Sequence, residues 1–106
     1  MTRALINVPK TARRGDIIEI KTLISHVMET GFRRDTTGNI YPRNIITKFV
    51  CTYNGKQIFG ADLFPAIAAN PFFTFYAVAA DSGTIDFEWS GDDGFHETAS
   101  ATITVD

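Results

Sequence analysis

Apolar and polar side chains alternate residue by residue through most of this chain, and that rhythm belongs to strands rather than helices. Ile18, Ile20, Thr22 and Ile24 fall on one side of a stretch from Asp16 to Ser25, with Ile17, Glu19, Lys21 and Leu23 on the other. Ile45, Thr47, Phe49, Cys51 and Tyr53 repeat the pattern against Ile46, Lys48, Val50 and Thr52. Further on, Ile85, Phe87 and Trp89 alternate with Asp86, Glu88 and Ser90. Phe95, Ala99, Ala101, Ile103 and Val105 do so with His96, Thr98, Ser100, Thr102 and Thr104. Ala4, Ile6 and Val8 form a shorter run of the same kind. No segment carries the three- and four-residue recurrence of a helix, so the pattern is β throughout.

Turn chemistry separates these runs. Asn54-Gly55 is the strongest signal, because both central residues of a type I′ hairpin turn need positive φ. Lys56 to Phe59 should then return beside the preceding strand. Pro9 with Arg13-Arg14-Gly15, then Asp81-Ser82-Gly83, then Gly91-Asp92-Asp93-Gly94 mark further turns. About seven strands, joined by short turns and two longer connections, predict an all-β fold: an immunoglobulin-like antiparallel β-sandwich. A chain of 106 residues has room for one core, so residues 1–106 read as a single domain. Cys51 is the sole cysteine, which forbids an internal disulfide and leaves the likeness to antibody domains architectural.

The two longer connections carry most of the irregularity. Ser25 to Asn44 is too long for a structureless loop in a compact domain. Its Gly31, Gly38, Pro42 and the run Asp35–Asn39 predict a hairpin excursion, with Met28–Arg33 returning as Ile40–Arg43. Leu63 to Asn70 predicts a crossover with one helical turn around Pro65–Ala68.

Charge narrows the partners. A net charge of −2 argues against a nucleic-acid binder, which is normally basic. All ten Lys and Arg residues lie at or before Lys56, whereas eight of the twelve acids follow it. Interleaved strands are expected to mix the two halves and leave only a modest dipole. The segment Met1–Lys10 lacks the apolar stretch of a secretory signal. Pro65, Asn70 and Pro71 break the longest uncharged run, Leu63–Ala80, so no membrane-spanning helix is expected.

Chemistry-bearing residues are few. His26, Met28, Cys51 and His96 match by type the ligand set of a blue-copper site, and a small metal-binding electron carrier is the alternative reading. The spacing opposes it, since 45 residues separate Cys51 from His96. Cys51 also shares an apolar strand face with Phe49 and Tyr53, as a small buried hydrophobe would. Asp92-Asp93-Gly94 reads as turn chemistry rather than a cation site. Neither a Ser/His/Asp order, a phosphate-binding loop nor paired-cysteine spacing is present, so no catalysis, cofactor or metal is expected.

Two features rise above this background. Phe72–Ala80 is apolar on both faces, with Phe73 and Phe75 on one and Phe72, Tyr76 and Val78 on the other. Leaving a large side chain in water forgoes roughly 1.5–3 kcal/mol of burial. The second face is therefore covered either by the Leu63–Asn70 crossover or by a partner, making Phe72, Phe73, Phe75 and Tyr76 candidate interface residues. The second feature is the excursion, which gathers His26, Met28, Glu29, Phe32, Arg33 and Arg34, with Arg43 near. Guanidinium forks match oxyanions, so these seven form a candidate docking loop. The plainer alternative is a solvated hairpin whose Arg33 and Arg34 are balanced by Glu29 and Asp35.

Several of these segments are similar to a known family. Met28-Glu29-Thr30-Gly31-Phe32-Arg33 after His26, then Cys51-Thr52-Tyr53-Asn54-Gly55-Lys56, then Ala69-Asn70-Pro71 before an aromatic strand, resemble SoxZ proteins. Trp89 with Asp92-Asp93-Gly94 fits the same family, and the likeness covers nearly the whole chain. Val27 stands where the resemblance implies proline in many relatives, a departure expected to bear on the loop's entry angle and not on the assignment. The resemblance implies a non-catalytic subunit, pairing as a heterodimer with a SoxY-type carrier in thiosulfate oxidation. That carrier bears a Gly-Gly-Cys-Gly-Gly-type arm whose thiol holds sulfur intermediates. This chain ends Ile103-Thr104-Val105-Asp106 in a strand pattern, so it is expected to be the non-carrier subunit, with Cys51 outside that chemistry. Also implied are transient contacts with other Sox enzymes and a periplasmic location reached by co-export with a signal-bearing partner. A homodimer is a further possibility for the isolated chain.

Overall fold

The computed structural model describes residues 4–65 and 67–106. Eight strands follow the alternation: β1 (Ala4–Asn7), β2 (Thr11–Ala12), β3 (Ile17–Ile24), β4 (Ile46–Tyr53), β5 (Lys56–Asp62), β6 (Phe72–Val78), β7 (Gly83–Gly91) and β8 (His96–Val105). They form two sheets, β1-β3-β6 and β2-β8-β7-β4-β5, packed as an immunoglobulin-like sandwich. The seven expected strands are all present. The eighth, β2, pairs in parallel with the end of β8, where the sequence reads only as a turn. Pro9 ends β1, and the chain then passes from one sheet to the other. Its second pairing is held by Thr104 N–H donating to the Lys10 carbonyl and Asp106 N–H to that of Ala12.

Side chains at alternate positions fill the space between the sheets. Ile18, Ile20, Thr22 and Ile24 of β3 and Ile85, Phe87 and Trp89 of β7 are buried, as their periodicity requires. Phe49 sits among Phe59, Phe73, Phe75, Phe87 and Trp89, with ring centroids 5.1–6.4 Å away. One departure from strict alternation occurs where β4 begins, since Ile46 and the preceding Ile45 are both buried. A register irregularity against β7 between Ile46 and Lys48 turns both inward. Asn54 (φ 50°) and Gly55 (φ 83°) take the left-handed conformations that a type I′ turn demands.

The basic and acidic parts of the chain interleave, because β4 lies between β5 and β7 and β3 between β1 and β6. Arg14–Asp81 and Arg43–Asp92 are ion pairs across that divide. The expected helical turn at 65–68 includes Ala66, which lies outside the described residues. Beside it, Ile67 N–H donates to the Phe64 carbonyl at 3.0 Å. The molecule measures 60 × 20 × 20 Å. A ten-residue strand such as β8 spans only about 33 Å. The excursion at 25–44 extends the long axis from the end where β3 stops and β4 begins. It is held by two isolated bridges, Glu29–Asn44 and Arg34–Ile40, rather than a regular hairpin ladder. Positive φ at Met28, Gly31 and Gly38 bends the backbone out of strand geometry.

Candidate functional site

Three connections meet at that end: 25–45, 63–71 and 92–95. The first is fastened as soon as it leaves β3. His26 N–H donates to Asn70 Oδ1 at 2.9 Å, and Asn70 N–H returns to the His26 carbonyl at 2.7 Å. The imidazole packs edge-on against Phe95, 4.8 Å between centroids. Its Nδ1 accepts the Met28 N–H at 3.1 Å, which supports Met28 at φ 52°. The Met28 side chain turns into the core, where its sulfur accepts the Ile46 N–H at 3.3 Å. Burial pushes the His26 pKa below its ordinary value, with the Asp92 charge pulling the other way. His26 and Met28, expected to face a partner, are instead the buried anchors of the excursion.

The charged residues are engaged within the loop. Glu29 and Asn44 exchange both backbone hydrogen bonds at 2.8 Å. Arg33 donates to the Glu29 carboxylate through Nη2 at 2.6 Å and Nε at 3.2 Å, and its guanidinium lies 3.9 Å over the Tyr41 ring. These hydrogen bonds hold the Glu29 carboxyl below the usual carboxylate range. Gly31 at φ 87° lets the two arms touch, since a Cβ there would fall 2.9 Å from that of Arg43. Arg43 makes a bidentate pair with Asp92, both bonds 2.8 Å, and Asp92 also accepts the Ile45 N–H at 3.2 Å. The Arg43 bonds draw the Asp92 pKa down.

Arg34 differs from the other two arginines. It donates to the Gly38 carbonyl at 2.8 Å and has no carboxylate partner among the described residues. The expected balance from Asp35 is not made, because Asp35 Oδ1 accepts the N–H groups of Thr37 and Asn39. Beside Arg34 the tip carries apolar side chains: Phe32 is 80% exposed, and Ile40, across the bridge from Arg34, is also open to solvent. Nearer the base a groove of about 680 Å³ is lined by Val27, Glu29, Tyr41, Pro42, Arg43, Asn44 and Asp93. Sequence reasoning missed Asn70 and Asp92 as fasteners of this loop. Their partners lie 44 and 49 residues away, and only the Asp92 turn signal was visible.

The four aromatic candidates on β6 divide between two environments. Phe73 stacks on Phe49 at 5.1 Å and Phe75 on Phe59 at 4.3 Å, so these two belong to the core and not to a free surface. Phe72 and Tyr76 are exposed, together with Val78. The crossover does not cover them. They share the outer face of the three-stranded sheet with Leu5 and Ile17, also exposed. Register places Leu5, Leu23 and Phe72 in one row and Ile17 beside Val78 in another. Between the rows, Tyr76 Oη donates to Glu19 at 3.1 Å, and Lys21 pairs with the same carboxylate at 3.4 Å. The outer face of the five-stranded sheet is polar by contrast, carrying Thr52, Asp86, Glu88, Thr98 and Ser100.

The copper-type constellation does not assemble. Cys51 points inward, fully buried, and desolvation pushes its thiol up to about 12. His96 stands on the opposite side of the sheet, exposed and 2.8 Å from Glu88. His26 and Met28 are occupied at the loop end, and no three His, Cys, Asp or Glu side chains gather as a metal site among the described residues.

The family model of the sulphur oxidation protein SoxZ matches residues 6–102. The chain belongs to the SoxZ family. No curated protein sequence matches it. Among solved structures, the superoxide reductase (neelaredoxin) of Ignicoccus hospitalis aligns over 99% of this chain and 82% of its own, at 14% identity and a TM-score of 0.73. The sulfur carrier protein SoxY of Chlorobium limicola f thiosulfatophilum aligns over 97% of this chain and 78% of its own, at 13% identity and a TM-score of 0.66. A putative superoxide reductase of Thermotoga maritima gives 97% and 85%, 14% identity and a TM-score of 0.70. At these identities the solved structures share the fold alone. Membership in SoxZ makes this chain a sulfur-oxidation subunit.

Proposed function

We propose that this SoxZ-family chain is a non-catalytic binding subunit that pairs with a SoxY-type sulfur carrier. The observation that carries this reading is the outer face of the β1-β3-β6 sheet. Leu5, Ile17, Phe72, Tyr76 and Val78 are exposed there, while the other outer face is hydrophilic. Covering each of these side chains is worth roughly 1.5–3 kcal/mol, and a stable heterodimer needs on the order of 1,200–2,000 Å². The sheet face therefore forms the centre of the contact, with flanking loops adding the rest. The tip of the excursion, with Phe32 and the carboxylate-free Arg34, serves transient contacts with the loaded carrier arm or a second Sox enzyme. Anionic groups on the carrier thiol suit a guanidinium. The working compartment is the periplasm, reached by co-export with the partner.

Co-purification with a SoxY tests the pairing. Wild-type chain is expected to hold SoxY through gel filtration, and Ile17→Asp with Phe72→Asp to lose it while remaining folded. Retention of SoxY by that double variant, or full thiosulfate turnover by SoxY alone, overturns the reading. For the tip, Phe32→Ala with Arg34→Ala is expected to lower turnover in a reconstituted mixture with SoxY binding intact. Unchanged turnover rejects the docking role.

A further inference from the structure

A sheet edge offers unpaired N–H and C=O groups, and natural proteins guard such edges with short strands, charges, proline or bulges. Most of the open edge here is guarded. Among the described residues, β1 covers Lys21–Ile24 of β3 and β2 covers Thr104 and Val105 of β8, and the uncovered remainders carry Glu19 in β3 and His96 and Glu97 in β8. β5 begins with Lys56, ends with Asp62 and has a register irregularity against β4. β6 has none of these devices. Its seven residues, Phe72–Val78, contain no charge and no proline and pair with β3 in unbroken register.

The hydrogen-bond phase of that pairing determines which groups face outward. Ala79 N–H donates to the Asp16 carbonyl at 2.8 Å, and Ile24 N–H to that of Pro71 at 3.2 Å. Both contacts continue the β3–β6 register, so the odd-numbered residues of β6 are bonded to β3. The N–H and C=O groups of Phe72, Thr74, Tyr76 and Val78 therefore point away from the sheet, and among the described residues no strand lies on that side of β6. The sequence of this edge is symmetric in character about Phe75: apolar Phe72 and Val78 at the ends, Thr74 and Tyr76 within.

We propose that β6 pairs antiparallel with β6 of a second copy of this chain about a two-fold axis at Phe75. In that register Phe72 meets Val78 and Thr74 meets Tyr76 of the other copy. All four outward residues then lie in hydrogen-bonded pairs, eight bonds in total by the antiparallel rule. The three-stranded sheets join into one of six strands. Phe72 of one copy then meets Val78 of the other at each end of the seam, so apolar side chains meet there, while Leu5 and Ile17 lie on strands behind the edge and outside the seam. The contact is narrow against the on the order of 1,200–2,000 Å² of a permanent dimer, which makes it reversible. It uses the edge and leaves the outer face open, so it stands apart from the pairing with SoxY.

Sedimentation equilibrium of the purified full chain over a concentration series tests the proposal, with amide exchange read by NMR. The expected result is a reversible monomer–dimer equilibrium. Protection of Phe72, Thr74, Tyr76 and Val78 amides should rise with concentration, while Phe73, Phe75 and Ala77 stay protected throughout. Thr74→Pro removes an outward donor without touching the β3 ladder. It should weaken the dimer about 30-fold, the loss of one bond from each copy, with SoxY binding retained. Ile17→Asp, on the face rather than the edge, should leave dimerisation unchanged. A chain that stays monomeric at all concentrations overturns the proposal. So does a dimer lost with Ile17→Asp but kept with Thr74→Pro, and so does uniform protection without the even–odd alternation.

Discussion

His26 shows how much a single residue can fasten when its N–H, its C=O and its Nδ1 all have partners. Its N–H and C=O fasten Asn70, and Nδ1 takes the Met28 amide. A protonated imidazole has no lone pair at Nδ1 to accept with. Because burial places the folded pKa below the ordinary 6.5, the stability from the neutral ring is complete above that value. It is lost as pH falls through the lower folded value, and the depressed Glu29 and Asp92 carboxyls add their own loss further into acid. Protection factors in residues 26–44 should therefore drop as pH falls below 6.5, ahead of global unfolding, and His26→Phe should remove that step. Cys51 gives a second residue-scale prediction. A thiol pushed up to about 12 carries almost no thiolate at pH 8. Iodoacetamide should leave the native protein unlabelled by mass spectrometry and label it fully in urea.

At the level of elements, period two was enough to assign the inner faces of β3, β7 and β8, because each has one polar and one apolar side. It was not enough for β6, where both sides are apolar. Phe73 and Phe75 are drawn inward by Phe49 and Phe59, residues of other strands that no local pattern reveals. β2 escaped notice because two residues carry no periodicity, and its partner lies more than ninety positions later. The excursion was legible in extent and not in its internal bonding. Its arginines were read either as open to an anion or as balanced by Glu29 and Asp35; Glu29 does hold Arg33, Asp35 does not hold Arg34, and Arg43 is taken by the distant Asp92. Gly91 is a testable joint in this arrangement. A Cβ there would sit 2.3 Å from the Ile45 carbonyl oxygen, a backbone atom that cannot swing away. Gly91→Ala should destabilise by about 2 kcal/mol in urea unfolding, with the m-value unchanged.

Over the whole molecule, the Cα radius of gyration of 16.3 Å exceeds the roughly 13 Å of a compact chain near this length. The excess arises because strands account for only about half of the 60 Å axis. Flank and tip are thus separate regions, and they should separate in function. Replacing residues 31–42 by two glycines bridges a gap that the Glu29–Asn44 pairing already closes. The shortened protein should show a smaller radius in solution scattering and still bind SoxY, while thiosulfate turnover in the reconstituted mixture falls.

Hidden sulfur has a further meaning at this scale. The thiol of Cys51 and the thioether of Met28 both lie inside the sandwich, the first within the aromatic core and the second against the Ile46 amide. In the proposed pairing with a thiol-bearing carrier, a neighbour whose Cys51 and Met28 are withheld from solvent would not compete for the cargo.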